Sequence, residues 1–326
     1  MSDPVLKKNL QIIEGEIRRQ RFGKEPQSLY EPIRYIMGLG GKRLRPMLTL
    51  LAYQLYRSDV ERIAPYAVAV EAFHNFTLMH DDIMDKAPLR RGKPTVHQKW
   101  DTNTAILSGD VMLVKVYEMF RTLEPEKFAA VVGVFNVCAA EVCEGQQWDM
   151  DFETKASVTE TEYLKMIRFK TAVLLGFSLE LGAMLADAPE SDRNALREFG
   201  IAVGMGFQLK DDLLDAFADP DVFGKQTGGD ILANKKTFLL IKALERARGK
   251  NKINLKFWLG AKRFRKAEKI NAVKEIYEML DIPSITEKKI NSYFRRGFRL
   301  LDSVSGREDS KKALSSYTHT LIARIS

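Results

Sequence analysis

Cysteine is nearly missing from this chain of 326 residues. The two that occur, Cys138 and Cys143, stand five apart on one expected helix. That spacing turns them to different faces, which argues against a disulfide or a zinc site and for buried thiols in a reducing compartment. No run of apolar residues reaches the length of a membrane span. The start, Met1-Ser2-Asp3-Pro4, has no apolar signal core, so the expected location is cytoplasmic, with no integral membrane segment. Strand alternation with Asn-Gly or Asp-Gly hairpins is absent. No short-period repeat, low-complexity tract or linker stands out, and histidine occurs four times.

What remains is helical. A hydrophobic fraction of 45% and a charged fraction of 29% are ordinary for a globular protein. Apolar positions recur at three-to-four spacing, as in Ile33, Ile36, Met37 and in Leu44, Met47, Leu48, Leu51. Between sparse Gly and Pro punctuation, the pattern predicts helices near 42–57, 62–86, 102–121, 125–150, 159–183 and 191–217. Shorter ones follow near 236–248, 264–280, 285–305 and 308–323. The stretches 67–79 and 199–209 are apolar on most faces and should be central. One all-α domain spanning 1–326 is the expected fold class. The net charge of +8 suits an anionic partner: a diphosphate, a nucleic acid or a membrane surface. Most of the excess lies in Lys242–Lys269 and Arg295–Lys312, which reads as a solvated basic face.

Two acidic clusters carry the chemistry. Asp81-Asp82-Ile83-Met84-Asp85 and Asp211-Asp212-Leu213-Leu214-Asp215 place carboxylates at i, i+1 and i+4, one sector of a helix. Like charges so close repel unless a divalent ion sits between them. The first cluster also ends its helix, where carboxylates oppose the macrodipole. Mg²⁺ suits such a site, because it binds a few carboxylates and fills its shell with water and phosphate oxygens. Two such patches facing across a cavity would cage Mg²⁺ and a polyanion. Basic groups stand nearby: Arg90 and Arg91 can give forked donors to phosphate. Lys225 and Lys235 flank Asp230 in a glycine-rich stretch that follows the second cluster. A glycine turn, Gly40-Gly41-Lys42-Arg43-Leu44-Arg45-Pro46, opens a helix whose N-terminus attracts anions. His74, seven residues before Asp81, shares its face and would add to a second anion pocket.

In this order and at these intervals, the motifs resemble the trans-isoprenyl diphosphate synthase (polyprenyl synthetase) family, from about residue 25 to 240 and more loosely beyond. The resemblance implies the isoprenoid synthase fold, a single large helical bundle around a central active-site cavity. It implies Asp81, Asp85 and Asp211 as Mg²⁺ ligands, with Asp82, Asp212 and Asp215 completing the shells around about three ions. Arg90, Lys170, Thr171, Gln208, Lys225 and Lys235 match positions that hold the allylic diphosphate. Lys42, Arg45, His74 and Arg91 match those that hold isopentenyl diphosphate; Arg43 is left out. The family's reaction ionises the allylic C–O bond, the isopentenyl double bond attacks, and a proton is lost. Its catalysis is electrostatic stabilisation and positioning, by Asp81, Asp82, Asp85, Arg90, Lys170, Asp211 and Lys225. The carbocation needs a dry pocket, for which Phe73, Phe76, Met79, Phe177 and Phe207 are candidates. A homodimer is implied by the family alone, and no nucleic-acid partner is expected.

In the family, the side chains four and five residues before the first aspartate form the floor for the growing tail. Here they are Thr77 and Phe76, roughly 6 to 7.5 Å along the helix from Asp81. A ring at 76 resembles geranylgeranyl (C20) synthases, with farnesyl (C15) the alternative; Met112, Leu113 or Val116 of a neighbouring helix could move the floor. A catalytically silent partner subunit is a reading of another class, but every matched position here is filled. A terpene cyclase would not need the Gly40–Pro46 turn, and a nucleic-acid binder lacks a recognisable motif.

Overall fold

The structure is a computed structural model, and it describes residues 3–218 and 227–323. In chain order it begins with α1 (Pro4–Arg19), α2 (Gln27–Gly38), α3 (Leu44–Gln54) and a 3₁₀ turn (Val60–Ile63). Then come α4 (Ala64–Met84), strands β1 (Leu89–Arg90) and β2 (Lys93–Pro94), α5 (Val96–Lys99), α6 (Thr102–Phe120) and α7 (Pro125–Thr154). α8 (Glu160–Ile167) passes through a π turn (Arg168–Ala172) into α9 (Val173–Leu185), which α10 (Glu190–Phe217) follows. The remainder is α11 (Gly229–Leu232), α12 (Phe238–Arg246), α13 (Gly249–Gly260), α14 (Lys266–Met279), α15 (Ile282–Asp302) and α16 (Glu308–Ala323). The class is all-α, with one two-stranded hairpin as the only sheet among the described residues.

Helix starts follow from local chemistry. Asp3 and Asp101 accept from backbone amides at the first turns of α1 and α6, which would otherwise be unsatisfied. Thr159 and Glu162 form a reciprocal capping box on α8.

The chain forms two compact units. The first comprises Met1–Val137, Phe177–Arg197 and Ser303–Leu314; the second comprises Cys138–Gly176, Glu198–Asp302 and Ser315–Ser326. In the first, α4 is the central helix: Ala67, Val68, Ala69, Val70 and Ala72 are all fully buried. Around it an aromatic group gathers on Phe135, which meets Phe73, Tyr117, Phe120 and Phe177 at 5.0–5.6 Å between ring centroids. Edge-on rings at that spacing add to the burial of their area. The second unit has one core around Tyr163, Ile167, Met205, Leu209, Phe238 and Phe294, and another around Ile231, Leu239, Leu255, Val273 and Tyr277.

The expected central stretches of α4 and α10 are buried as anticipated. Other features differ. Helices α1 and α13 were not anticipated, because their apolar positions are diluted by charge, and α2 showed only in the helical spacing of Ile33, Ile36 and Met37. The helix expected at 159–183 is broken by the π turn, and a type I′-like hairpin turn on Arg91 and Gly92 (φ 52° and 73°) escapes a search for Asn-Gly or Asp-Gly. Cys138 is buried but Cys143 is exposed. α7 is long and apolar enough to cross a membrane by length and composition, and 28% of its apolar stretch is buried. Its apolar residues run from Phe128 to Ala140, interrupted by Asn136 and ended by Glu141, which is short of an unbroken span. The basic segment 242–269 is not uniformly solvated: Lys242 pairs with Glu160 and Glu245, and Lys269 is 1% exposed.

Candidate active site

In the first unit, Asp81 and Asp82 lie in the last turn of α4 and Asp85 is its C-cap. Asp82 turns inward. Arg90 grips it through both carboxylate oxygens, Nε to Oδ2 and Nη2 to Oδ1, each at 2.7 Å. That fork-to-fork pair fixes the guanidinium geometrically as well as electrically. Asp81 is half-buried and Asp85 exposed. The β1–β2 hairpin explains how Arg90 and Arg91 diverge. Arg90 sits on the strand over Asp82, whereas Arg91 occupies the turn and donates to the Gly40 carbonyl. The hairpin itself is tied down by Thr95 Oγ1 to Ala87 O and Tyr35 Oη to Pro94 O, both 2.7 Å.

Gly41 has φ 136°, and a Cβ there would lie 2.8 Å from the Arg91 guanidinium, so glycine is needed. Arg43 at α3's N-cap is 1% exposed and bound to Glu14, Glu71 and the Met37 carbonyl. It is structural, unlike its neighbours: Lys42 is exposed and Arg45 half-buried. His74 joins the Arg45 neighbourhood. Burial, then the nearby Arg45, Arg91 and Arg90 charges, holds its pKa well below the usual histidine value, so it is neutral at pH 7. The structure thus gathers Arg45, His74, Arg90 and Arg91, while no interaction draws in Lys42.

Phe76 is buried on α4 with its ring 5.7 Å from Phe73 and 4.8 Å from His80. Thr77 bends back, its hydroxyl donating to His74 O at 2.8 Å. Phe73, Met79 and Phe177 are likewise buried; Phe207, in the second unit, is half-buried beside Phe294. Met112 and Val116 of α6 are fully buried and Leu113 is half-buried.

In the second unit, α10 carries Gln208, Asp211, Asp212 and Asp215. Asp211 is exposed, whereas Asp212 turns inward to accept from Tyr163 Oη and, at 3.2 Å, from Gln208 Nε2. Burial and then the Asp230 charge push the Asp212 carboxyl up to about 7. Thr171 Oγ1 donates to Gln208 Oε1 at 3.1 Å, so Thr171, Gln208, Asp212 and Tyr163 form one chain of hydrogen bonds. Asp215 Oδ2 accepts from the Asp230 amide at 2.9 Å. Burial lifts Asp230 to about 6, with Asp215, Asp211 and Asp149 adding to the rise against the pull of Lys235.

The π turn puts Lys170 and Thr171 on show, and two glycines admit it. A Cβ on Gly145 would lie 2.1 Å from Lys170 N, and one on Gly204 2.6 Å from Ala172 Cα. Lys170 Nζ is 2.6 Å from Asp149 Oδ2, and Lys235 Nζ is 3.7 Å from the same oxygen. Asp149, Asp230, Tyr163 and Gly145 did not emerge from the sequence. Asp149, with Glu153 one turn on, lacks the adjacent acidic residue that marks the two clusters, and Asp230 was seen only as part of a charged loop. Lys225 lies outside the described residues.

Mg²⁺ fits these side chains. The donors are hard carboxylate oxygens, paired one helical turn apart as Asp81 with Asp85 and Asp211 with Asp215. Among the described residues no three His, Cys, Asp or Glu converge tightly enough to hold an ion unaided.

Each unit of this all-α chain sets aspartates beside basic side chains, Asp82 with Arg90 in the first and Asp149 with Lys170 in the second, an arrangement suited to anionic substrates. The polyprenyl synthetase family model matches residues 26–280, and the chain belongs to that family, whose members are trans-prenyltransferases. It is 44% identical to a geranylgeranyl diphosphate synthase of Methanosarcina mazei over 68% of this chain and 69% of that one. It is 41% identical to a short chain isoprenyl diphosphate synthase of Methanocaldococcus jannaschii over 97% and 94%. A crystal structure of a geranylgeranyl pyrophosphate synthase superposes with TM-score 0.94 at 43% identity, covering all of both chains.

Proposed function

We propose that this chain condenses isopentenyl diphosphate head-to-tail with allylic diphosphates to make geranylgeranyl diphosphate (C20), acting as one polyprenyl synthetase domain. The observation that carries the reading is the division of cations into two sets. Lys170 and Lys235 converge on Asp149, whereas Arg45 and Arg91 gather about a neutral His74. The first set, with Arg90, Thr171, Gln208 and Lys225, holds the allylic diphosphate. The second, with Lys42, holds isopentenyl diphosphate, and His74 gives a hydrogen bond there rather than a charge.

Asp81, Asp85, Asp211 and Asp215 would hold Mg²⁺, which when bound would supply positive charge to the leaving diphosphate. Asp82 and Asp212, both turned inward, hold Arg90 and Gln208 in place. The lysines take up charge as the C–O bond ionises, the isopentenyl double bond attacks the allylic carbon, and the departing diphosphate removes the proton. Catalysis is therefore positioning plus preorganised charge, with no protein nucleophile.

The C20 product rests on Phe76, packed between Phe73 and His80, and on relatives that carry that product in their names. The dimer rests on exposed apolar side chains of α6 and α7: Leu107, Val114 and Val137 are 58%, 55% and 61% exposed. Burying them against a second copy accounts for α7 without a bilayer, as does the acidic pair Glu141 and Glu144 in its middle. The protein is then a cytoplasmic homodimer.

One assay tests the reading. Labelled isopentenyl diphosphate is incubated with Mg²⁺ and dimethylallyl, geranyl or farnesyl diphosphate, and the products are sized. C20 is expected from each starter, and longer chains from Phe76→Ala. Products stopping at C15 would remove the C20 assignment, and no product with any starter would leave a silent subunit.

A further inference from the structure

Lys269 is the one residue of the basic C-terminal half that is buried without a counter-ion among the described residues. It is 1% exposed, and its ammonium donates to Leu232 O at 3.3 Å and Asn234 Oδ1 at 2.7 Å, with the Phe264 ring 4.5 Å away. Burial lowers its pKa. An ammonium with neutral acceptors alone gains less than its desolvation costs, so packing by itself would favour an apolar side chain here.

What the charge does is fix a turn. Leu232 is the last residue of α11, whose free carbonyl is a favourable place for a cation. Asn234 has φ 54° and is held on its other side by Nδ2 to Leu259 O at 3.1 Å. Next in the chain is Lys235, whose amide donates to Asp230 O at 2.9 Å. At the other end of the segment, Gly228 has φ 85° and no room for a Cβ, which would lie 2.7 Å from Ile270 Cδ1. The Gly228 and Asp230 amides both donate to Asp215, at 2.6 and 2.9 Å. The segment 228–235 is thus strapped between the acidic turn of α10 and the face of α14 that bears Lys269 and Ile270.

We infer that Lys269 is a positioning residue for the allylic-diphosphate site, locking the turn 232–235 so that Lys235 points at Asp149 and Lys170. The inference rests on the proposed role of Lys235, and the test separates the two. Initial rates are measured with geranyl and isopentenyl diphosphates for Lys269→Met, Asn234→Gly, Lys235→Ala and the Lys269→Met/Lys235→Ala double variant.

Lys269→Met should melt within a few degrees of the parent, yet raise KM for geranyl diphosphate roughly tenfold, with KM for isopentenyl diphosphate changed less than about twofold. Asn234→Gly keeps the left-handed backbone, removes the acceptor, and should show the same split; it carries the test should Lys269→Met not fold. The double variant should be no worse than Lys235→Ala alone, because both changes remove one function. A folded Lys269→Met with unchanged geranyl KM, or effects that add to those of Lys235→Ala, would overturn the inference while leaving the site reading intact. An unchanged geranyl KM in Lys235→Ala would sink the site reading, and the inference with it.

Discussion

Replacing Gly145 with alanine should disable the π turn without touching any charged group. The added Cβ would lie 2.1 Å from Lys170 N, 2.6 Å from Lys170 Cα and 2.7 Å from the Phe169 carbonyl carbon, where ordinary contact begins at 3.4 Å. All three are backbone atoms, so no side chain can swing aside. Either α7 or the turn must retreat by about 1.3 Å, the difference between 3.4 and 2.1 Å. Lys170 can follow through its flexible stem. Thr171 cannot, because its 3.1 Å bond to Gln208 has no slack of that size.

Overpacking of this kind costs about 1–3 kcal/mol, and a reacting group misplaced by about 1 Å costs roughly 100-fold in rate. The expected result is a folded enzyme, melting a few degrees lower, with kcat down roughly 100-fold. Gly204→Ala pushes the turn from the other side, where its Cβ would meet Ala172 Cα at 2.6 Å, and should act alike. Steady-state prenyl transfer beside a thermal melt decides the matter. Full turnover in a well-folded Gly145→Ala would refute the claim that the turn's position matters.

Two further outcomes follow from the same geometry. Asp149→Asn preserves shape but removes the carboxylate that the Lys170 and Lys235 ammoniums share; KM for the allylic diphosphate should rise roughly tenfold and KM for isopentenyl diphosphate stay put, as read by initial rates. Asp192 accepts from Tyr56 Oη at 2.7 Å and from Ser305 N and Oγ at 3.0 and 2.6 Å. Burial raises its pKa, but the Ser305 and Tyr56 hydrogen bonds outweigh that and leave it below the ordinary carboxylate value. A depressed folded-state pKa gives stability that is present above the unfolded value, about pH 4, and lost as pH falls through the folded one. Urea titrations should therefore find the parent more stable than Asp192→Asn at pH 7 by about 1–2 kcal/mol, with the gap closing toward pH 3; a gap independent of pH would contradict this.

What the sequence disclosed was local. An i, i+1, i+4 set of aspartates shares a helix face whatever the tertiary fold, so Asp81, Asp85, Asp211 and Asp215 could be read directly. The same holds for the glycine turn before α3 and for the burial of α4 and α10. Direction within a cluster was hidden. That Asp82 and Asp212 turn inward depends on Arg90 eight residues on and Tyr163 on another helix. Asp149 and Gly145 matter through Lys170, 21 and 25 positions away, and no periodicity signals such a pair. Arg43 and Arg45 share a motif; the family match set Arg43 aside, and its packing against Glu14 and Glu71 supplies the physical reason. Lys269 was lost among exposed lysines for the same reason, since its acceptors are a backbone carbonyl and an amide that composition cannot point to.

Under the proposed function, both aspartate pairs serve one diphosphate through Mg²⁺. Calorimetric binding of a non-reactive allylic diphosphate analogue tests it, with and without Mg²⁺, for the parent, Asp81→Ala and Asp211→Ala. Tight binding by the parent that requires Mg²⁺, and a loss of at least about tenfold in each folded variant, is the predicted result. Binding by either variant that matches the parent, or binding indifferent to Mg²⁺, would contradict it.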